Sequence, residues 1–391
     1  MSESSLHAVV VGAGIMGLSA AWALARGGHR VTVLEQAAIP NPLGSSVDRH
    51  RLIRHPYGGE RGYTRMVSGA FAAWRSVWND LGATLYAPTG TLVLETSHGG
   101  WAEASLATLA AERVPVRRLD VTALAREFPL IATEGVRFAF HLETGGALFA
   151  DRIVAALARH LAARGVYLRA NALVREVDPE RGRASLEGGE QIAGDALIVA
   201  AGPWAPRLVP ALGVRITPSR QIVAYVEPPS EYMAAWLSHP MVLDIDPQAG
   251  FYLVPPRPTP GGGVAGLKLG DHGFTLQGAP DHDRTARPEE AAPLMALAPR
   301  RLKDFARYRL AEVKTCFYDV EPGEHFIVEK IGAAGWVMSG FSGHGFKFGP
   351  LIGLELARTI AGERPPAALS AWAAGALDVL EHSPAAAGGV R

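Results

Sequence analysis

The sequence predicts an α/β chain in which a parallel-sheet domain is interleaved with an α+β domain built on a mixed or antiparallel sheet. Short apolar runs ending in glycine occur at Ala8–Val11, Asp195–Gly202 and Trp336–Gly340. Such runs form strands buried on both faces of a parallel sheet. They lie far apart in the chain, so one sheet is assembled from separated segments. Between them, Leu85–Leu94 and Tyr225–Leu269 have the texture of antiparallel strands, with turns at Pro255-Pro256-Arg257-Pro258 and Gly261-Gly262-Gly263.

Each element follows from local composition. Ala8-Val9-Val10-Val11 is a buried strand. Leu18–Arg26 is rich in Ala and Leu and reads as a helix, which Gly27-Gly28 stops. Arg30–Leu34 is a second strand, closed by Glu35, so the chain opens on a βαβ unit. After Gly340, a glycine-rich loop precedes a helix beginning near Pro350. Pro288–Ala298 is helical in pattern, weakened by Pro293. Asp178–Arg183 is a charged hairpin turn, and Ala385–Arg391 a frayed tail. The expected division assigns residues 1–86, 147–216 and 321–391 to the parallel-sheet domain, and 87–146 and 217–320 to the other.

Composition narrows the function. Lys plus Arg number 38 and Asp plus Glu 38, so no overall field draws the chain to nucleic acid or an anionic membrane. The single cysteine, Cys316, forbids an intrachain disulfide and a multi-cysteine metal site, and it suits a reducing compartment. No signal peptide and no transmembrane helix is expected. A cytoplasmic monomer acting on a small molecule fits best. Asp281-His282-Asp283 reads as a solvated loop, and no metal site is expected.

Gly12-Ala13-Gly14-Ile15-Met16-Gly17 sits between a strand and a helix. Gly12 permits the tight turn, Gly14 lets backbone approach a pyrophosphate, and Gly17 lets helix and strand pack closely. The helix N-terminus offers free N–H groups to phosphates. Glu35 can accept from a ribose diol and would repel the extra phosphate of NADP. The expectation is a Rossmann-like dinucleotide site; Glu35 does not separate NAD from FAD.

Three features favour FAD. The motif lies at the start of the chain with its remaining strands far downstream. Gly194–Trp204, including Gly202 and Trp204, is similar to a second strand of many FAD oxidoreductases. Gly340–Lys347 offers flexible backbone before a helix, whose N-terminus would stabilise negative charge in a reduced flavin; Gly343, His344, Gly345, Phe346 and Lys347 are expected at the cofactor.

The sequence resembles the monomeric sarcosine oxidase and N-methyltryptophan oxidase family over nearly its whole length. The pieces that carry the resemblance are Arg51-Leu-Ile-Arg54-His-Pro-Tyr57-Gly, Gly266-Leu-Lys268-Leu-Gly270, the Cys316 segment with Glu324-His325-Phe326, and Gly340-Phe-Ser-Gly-His-Gly-Phe-Lys347-Phe. Taken alone, Cys316 reads as a buried structural thiol; the resemblance implies a bond from its sulfur to the flavin. It also implies that Arg54 and Lys347 anchor a substrate carboxylate, for which a planar guanidinium is suited. Arg51 matches a second arginine near the flavin. Lys268, alternating with Leu267 and Leu269, matches a lysine that activates oxygen. His272 and Tyr252 match active-site positions that keep the amine neutral and wall the pocket.

The chain departs from the family before Arg51. A His-His-Gly-Asp-Thr run is replaced by Ser46-Val47-Asp48-Arg49-His50. Val47 stands for a histidine near the flavin and His50 for a threonine, while Asp48 and Arg49 alter the charge order. His50 is therefore expected at the substrate, and a secondary amine larger or more polar than sarcosine is implied.

The expected activity is oxidation of an N-alkyl or cyclic amino acid to an imine, with oxygen reduced to hydrogen peroxide. A dehydrogenase passing electrons to a quinone or protein is one alternative, and a silent flavoprotein subunit another. Lys268 argues for the oxidase, and Arg54, Lys268, Cys316 and Lys347 together argue for catalysis.

Overall fold

The computed structural model describes residues 5–245, 250–258, 263–377 and 379. Gly261 and Gly262 of the expected turn, and the expected tail Ala385–Arg391, lie outside the described residues.

A six-stranded sheet runs in the order Ile327–Lys330, Gly335–Ser339, Ala196–Val199, His7–Val11, Arg30–Leu34, Tyr167–Arg169. Its pairs are parallel except Ile327–Lys330 with Gly335–Ser339. Val9, Val10, Leu197 and Ile198 have no exposed surface, as strands covered on both faces require. The three glycine-ended runs are thus neighbours in one sheet. The first helix, Ile15–Arg26, starts three residues before its expected position; it packs against the helix Gly349–Ile360.

A second, eight-stranded sheet runs Arg309–Val320, Thr217–Glu227, Leu267–Asp271, Phe251–Val254, Met241–Asp244, Thr91–Glu95, Phe138–Leu142, Arg117–Leu119. Only Met241–Asp244 with Thr91–Glu95 is parallel, so the sheet is mixed. Leu267 and Leu269 join its apolar core on one face, and Lys268 is buried on the other. Register places Tyr225 directly opposite Lys268 and Gln221 opposite Cys316. A small sheet, in which Gly146–Leu148 pairs with both Arg51–Ile53 and Tyr86–Pro88, carries Arg51.

The Pro288–Ala298 segment divides into a 3-10 turn at Pro288–Ala291 and an α-helix at Ala292–Leu297. Pro293 lies in that helix's first turn, where a missing N–H leaves no hydrogen bond unmade. No described helix is long and apolar enough to cross a membrane.

Candidate active site

The dinucleotide end is built by backbone economy. Gly12 has φ +107°, and a Cβ on it would sit 2.4 Å from the Ala200 carbonyl oxygen. A Cβ on Gly17 would lie 1.9 Å from the Gly12 oxygen, so helix and strand meet only because Gly17 has none. Glu35 is buried, and its partners are donors rather than cations: Ala13 N–H at 2.8 Å and Asn41 Nδ2 at 2.9 Å. Ile15 N–H donates to Ser46 Oγ at 2.8 Å, which places a hydroxyl over the helix N-terminus.

Gly12, Gly14, Ile15, Met16, Glu35, Arg51, Gly202, Trp204, Gly343, Gly345 and Phe346 line one cavity. These residues fit FAD. The helix start and Glu35 suit a pyrophosphate and a ribose diol, and any Cβ on Gly14 would close the approach to within 3.1 Å of Ser46 Oγ. Of the other residues expected at the cofactor, His344 and Lys347 line the neighbouring cavity. Gly17 packs behind the turn, and Cys316 stands beside Arg51.

The second cavity is lined by Arg54, Tyr252, Lys268, His272, His50 and Lys347. Arg51, Tyr318, Gly343 and Phe346 line both, so the two cavities adjoin. Lys347 and Arg54 are buried, and their partners carry no formal negative charge. Lys347 Nζ donates to Tyr57 Oη and to the His344 carbonyl, each at 2.8 Å. Arg54 donates to the Pro56 carbonyl, and its guanidinium lies 4.6 Å from the Tyr57 ring centre and 5.4 Å from that of Trp101. Burial lowers the pKa of both cations, and their mutual repulsion lowers that of Lys347 further. Two desolvated cations side by side attract a carboxylate. His272 is an exposed residue at the rim; desolvation first, then the Arg54 and Lys347 charges, hold it down to about 4. His50 is fully enclosed and held to about 3 by burial, with Lys268 adding to the effect. Tyr252 and Tyr318 both line this cavity.

A third group joins the cavities. Asp48 is buried, and its Oδ2 pairs with Lys268 Nζ and with Arg51 Nη1, the latter at 2.7 Å. Its Oδ1 accepts from Tyr225 Oη at 2.7 Å. Burial opposes ionisation of Asp48, but the Lys268 and Arg51 charges overcome it and hold the carboxyl below the ordinary range. Arg51 also donates to the Ser45 carbonyl at 2.8 Å and lies 3.6 Å from Cys316 Sγ. Burial pushes the Cys316 thiol up, and Arg51 opposes that.

Several neighbours escaped sequence reasoning. Tyr57 lies in the Arg51–Gly58 motif, where nothing in the local sequence assigns it a role. Tyr318 shares a strand face with Cys316, and the alternation of that strand would have flagged it. Asp48 stands out in the sequence by its charge, while its partners Lys268 and Tyr225 lie far along the chain. Tyr225 carried no local signal.

The family described as FAD dependent oxidoreductase matches residues 7–359. The chain belongs to this family. Among known members of similar sequence, the peroxisomal sarcosine oxidase of Homo sapiens is 28% identical over 369 residues, covering 88% of this chain and 90% of that protein. The N-methyl-L-tryptophan oxidase of Yersinia pestis (strain Pestoides F) is 25% identical over 378 residues, covering 93% and 97%. The crystal structure of L-proline dehydrogenase from P. horikoshii shares the fold with a TM-score of 0.79 at 20% identity, over 95% of this chain and 98% of that one. The expected family, the fold class and the enzyme class of FAD-dependent amine oxidase agree with these matches.

Proposed function

We propose that the protein oxidises the C–N bond of a small secondary amine bearing a carboxylate, an N-alkyl or cyclic amino acid, to an imine, with oxygen reduced to hydrogen peroxide. One observation carries the reading: Arg54 and Lys347 stand as buried cations in a cavity that adjoins the dinucleotide cavity through Arg51, Tyr318, Gly343 and Phe346. Bound FAD supplies the two-electron acceptor, which the protein itself lacks.

The side chains supply the rest. Arg54 and Lys347 fix the carboxylate and so orient the amine. His272, neutral near pH 7, accepts or shares the amine proton and keeps the nitrogen lone pair free. Tyr252 and His50 wall the pocket. Lys268 places positive charge where oxygen gains electrons. Cys316 binds the flavin covalently in this reading, supported by its place beside Arg51. The two sheets support assigning residues 1–86, 147–216 and 321–391 to FAD binding, and 87–146 and 217–320 to the substrate.

Incubation of the holoenzyme in air with N-methyl, cyclic and primary amino acids, with peroxide measured, tests this. Peroxide is expected from N-methyl or cyclic substrates; flavin reduction without peroxide would place the electrons on another acceptor.

A further inference from the structure

Four donors converge on the Asp48 carboxylate. Lys268 Nζ and Arg51 Nη1 meet Oδ2, while Tyr225 Oη and the Arg49 N–H meet Oδ1. Tyr225 and Lys268 are opposed on adjacent strands, so the sheet aims both at the same loop residue. On the outer side, Lys314 Nζ lies 3.9 Å from Oδ1, and the Arg49 guanidinium sits 4.6 Å from the Tyr225 ring centre. Lys268 and Asp48 side chains are 3% and 5% exposed. Charges this enclosed are felt by their surroundings with little screening.

Without Asp48, Lys268 and Arg51 would be two like charges with no carboxylate between them. With it, part of the Lys268 charge is offset at the adjoining cavity, which Lys268 and Arg51 both line, and the three-residue unit stays net positive.

We propose that Asp48 is a positioning residue that holds Lys268 and Arg51 as one buried unit and offsets the Lys268 charge, thereby setting the redox potential of the flavin. This rests on the FAD-dependent reading above for its consequence, but not on oxygen as the acceptor. Two-electron reduction of the cofactor adds negative charge, which neighbouring cations favour and anions oppose. Reduction of oxygen to hydrogen peroxide then takes those two electrons and two protons. A residue that offsets the lysine therefore lowers the flavin potential and makes the reduced form the stronger donor.

The test is the flavin midpoint potential of four holoenzymes: wild type, Asp48→Asn, Lys268→Met, and the double variant. Asn keeps the shape and removes the charge. Asp48→Asn is expected to raise the potential by a tenfold change in the reduced-to-oxidised ratio, about 30 mV for a two-electron couple. Lys268→Met is expected to lower it by a similar factor, and the double variant to return to within threefold of wild type. A carboxylate serving stability alone would leave the potential of Asp48→Asn at the wild-type value and the double variant at that of Lys268→Met; that result overturns the proposal. If Asp48→Asn does not fold, Lys268→Met against the double variant decides, because removing Lys268 together with its counter-charge leaves Arg51 as the one member of the unit without a carboxylate. If wild type makes no peroxide in air, the oxidase reading fails while the order of potentials still judges Asp48.

Discussion

The Arg51 guanidinium lies 3.6 Å from the Cys316 thiol, joining residues 265 positions apart. A buried thiol is a poor nucleophile because burial disfavours the thiolate, and the adjacent cation partly restores it. The link to flavin should therefore depend on this cysteine. Denatured wild-type protein is expected to keep its yellow colour, whereas Cys316→Ser should release all of it into the supernatant. Colour washing out of the wild type would rule the link out.

In the proposed reading, Arg54 acts on the carboxylate and not on the amine. Arg54→Gln is expected to weaken binding of a carboxylate-bearing substrate by about 10- to 100-fold, the worth of a charge-assisted hydrogen bond of about 1.5–3 kcal/mol. Binding of the matching amine without a carboxylate should change less than threefold. Spectral titration of the oxidised flavin measures both, and equal losses would remove the anchor role.

The proton inventory at His272 has a defined sign. Desolvation by the protein packed around the cavity rim, with the cations Arg54 and Lys347 adding to it, holds its pKa down to about 4, so the neutral ring persists across the range where an ordinary histidine, near 6.5, would titrate. The anaerobic rate of flavin reduction should show no histidine inflection between pH 5 and 7.5, and should fall only as pH drops toward about 4. His272→Asn should abolish that acid limb. An inflection near 6.5 that disappears in His272→Asn would contradict the desolvated, cation-flanked setting.

Lys268 should separate the two halves of turnover. Lys268→Met is expected to slow reoxidation by oxygen about 100-fold, in line with loss of one electrostatic stabiliser, and to slow reduction by substrate less than tenfold. Stopped-flow measurement of each half-reaction checks this, and equal slowing would show that the lysine serves binding or folding instead.

What the sequence made legible was local. Gly12, Gly14 and Glu35 declare a dinucleotide site because a strand, a turn and a helix must follow one another within a few residues. The alternation of Leu267, Lys268 and Leu269 sets the lysine on the face opposite its neighbours, and only the fold shows that this face is buried too. The partners across the sheet were not legible. Lys268 meets Asp48 from 220 positions away, and only the strand register that sets Tyr225 against Lys268 brings both to one carboxylate. The parallel pairing of Thr91–Glu95 with Met241–Asp244 joins distant segments in the same way, and no periodicity encodes it. Tyr57 became visible only when the fold laid Lys347 against it at 2.8 Å.

The chemistry itself is tested most directly by mixing the oxygen-free holoenzyme with N-methyl, cyclic and primary amino acids and following the flavin absorbance. Bleaching by an N-methyl or cyclic amino acid, with colour and one equivalent of peroxide returning on admission of air, is the expected result. A flavin that stays oxidised with every carboxylate-bearing amine would contradict it.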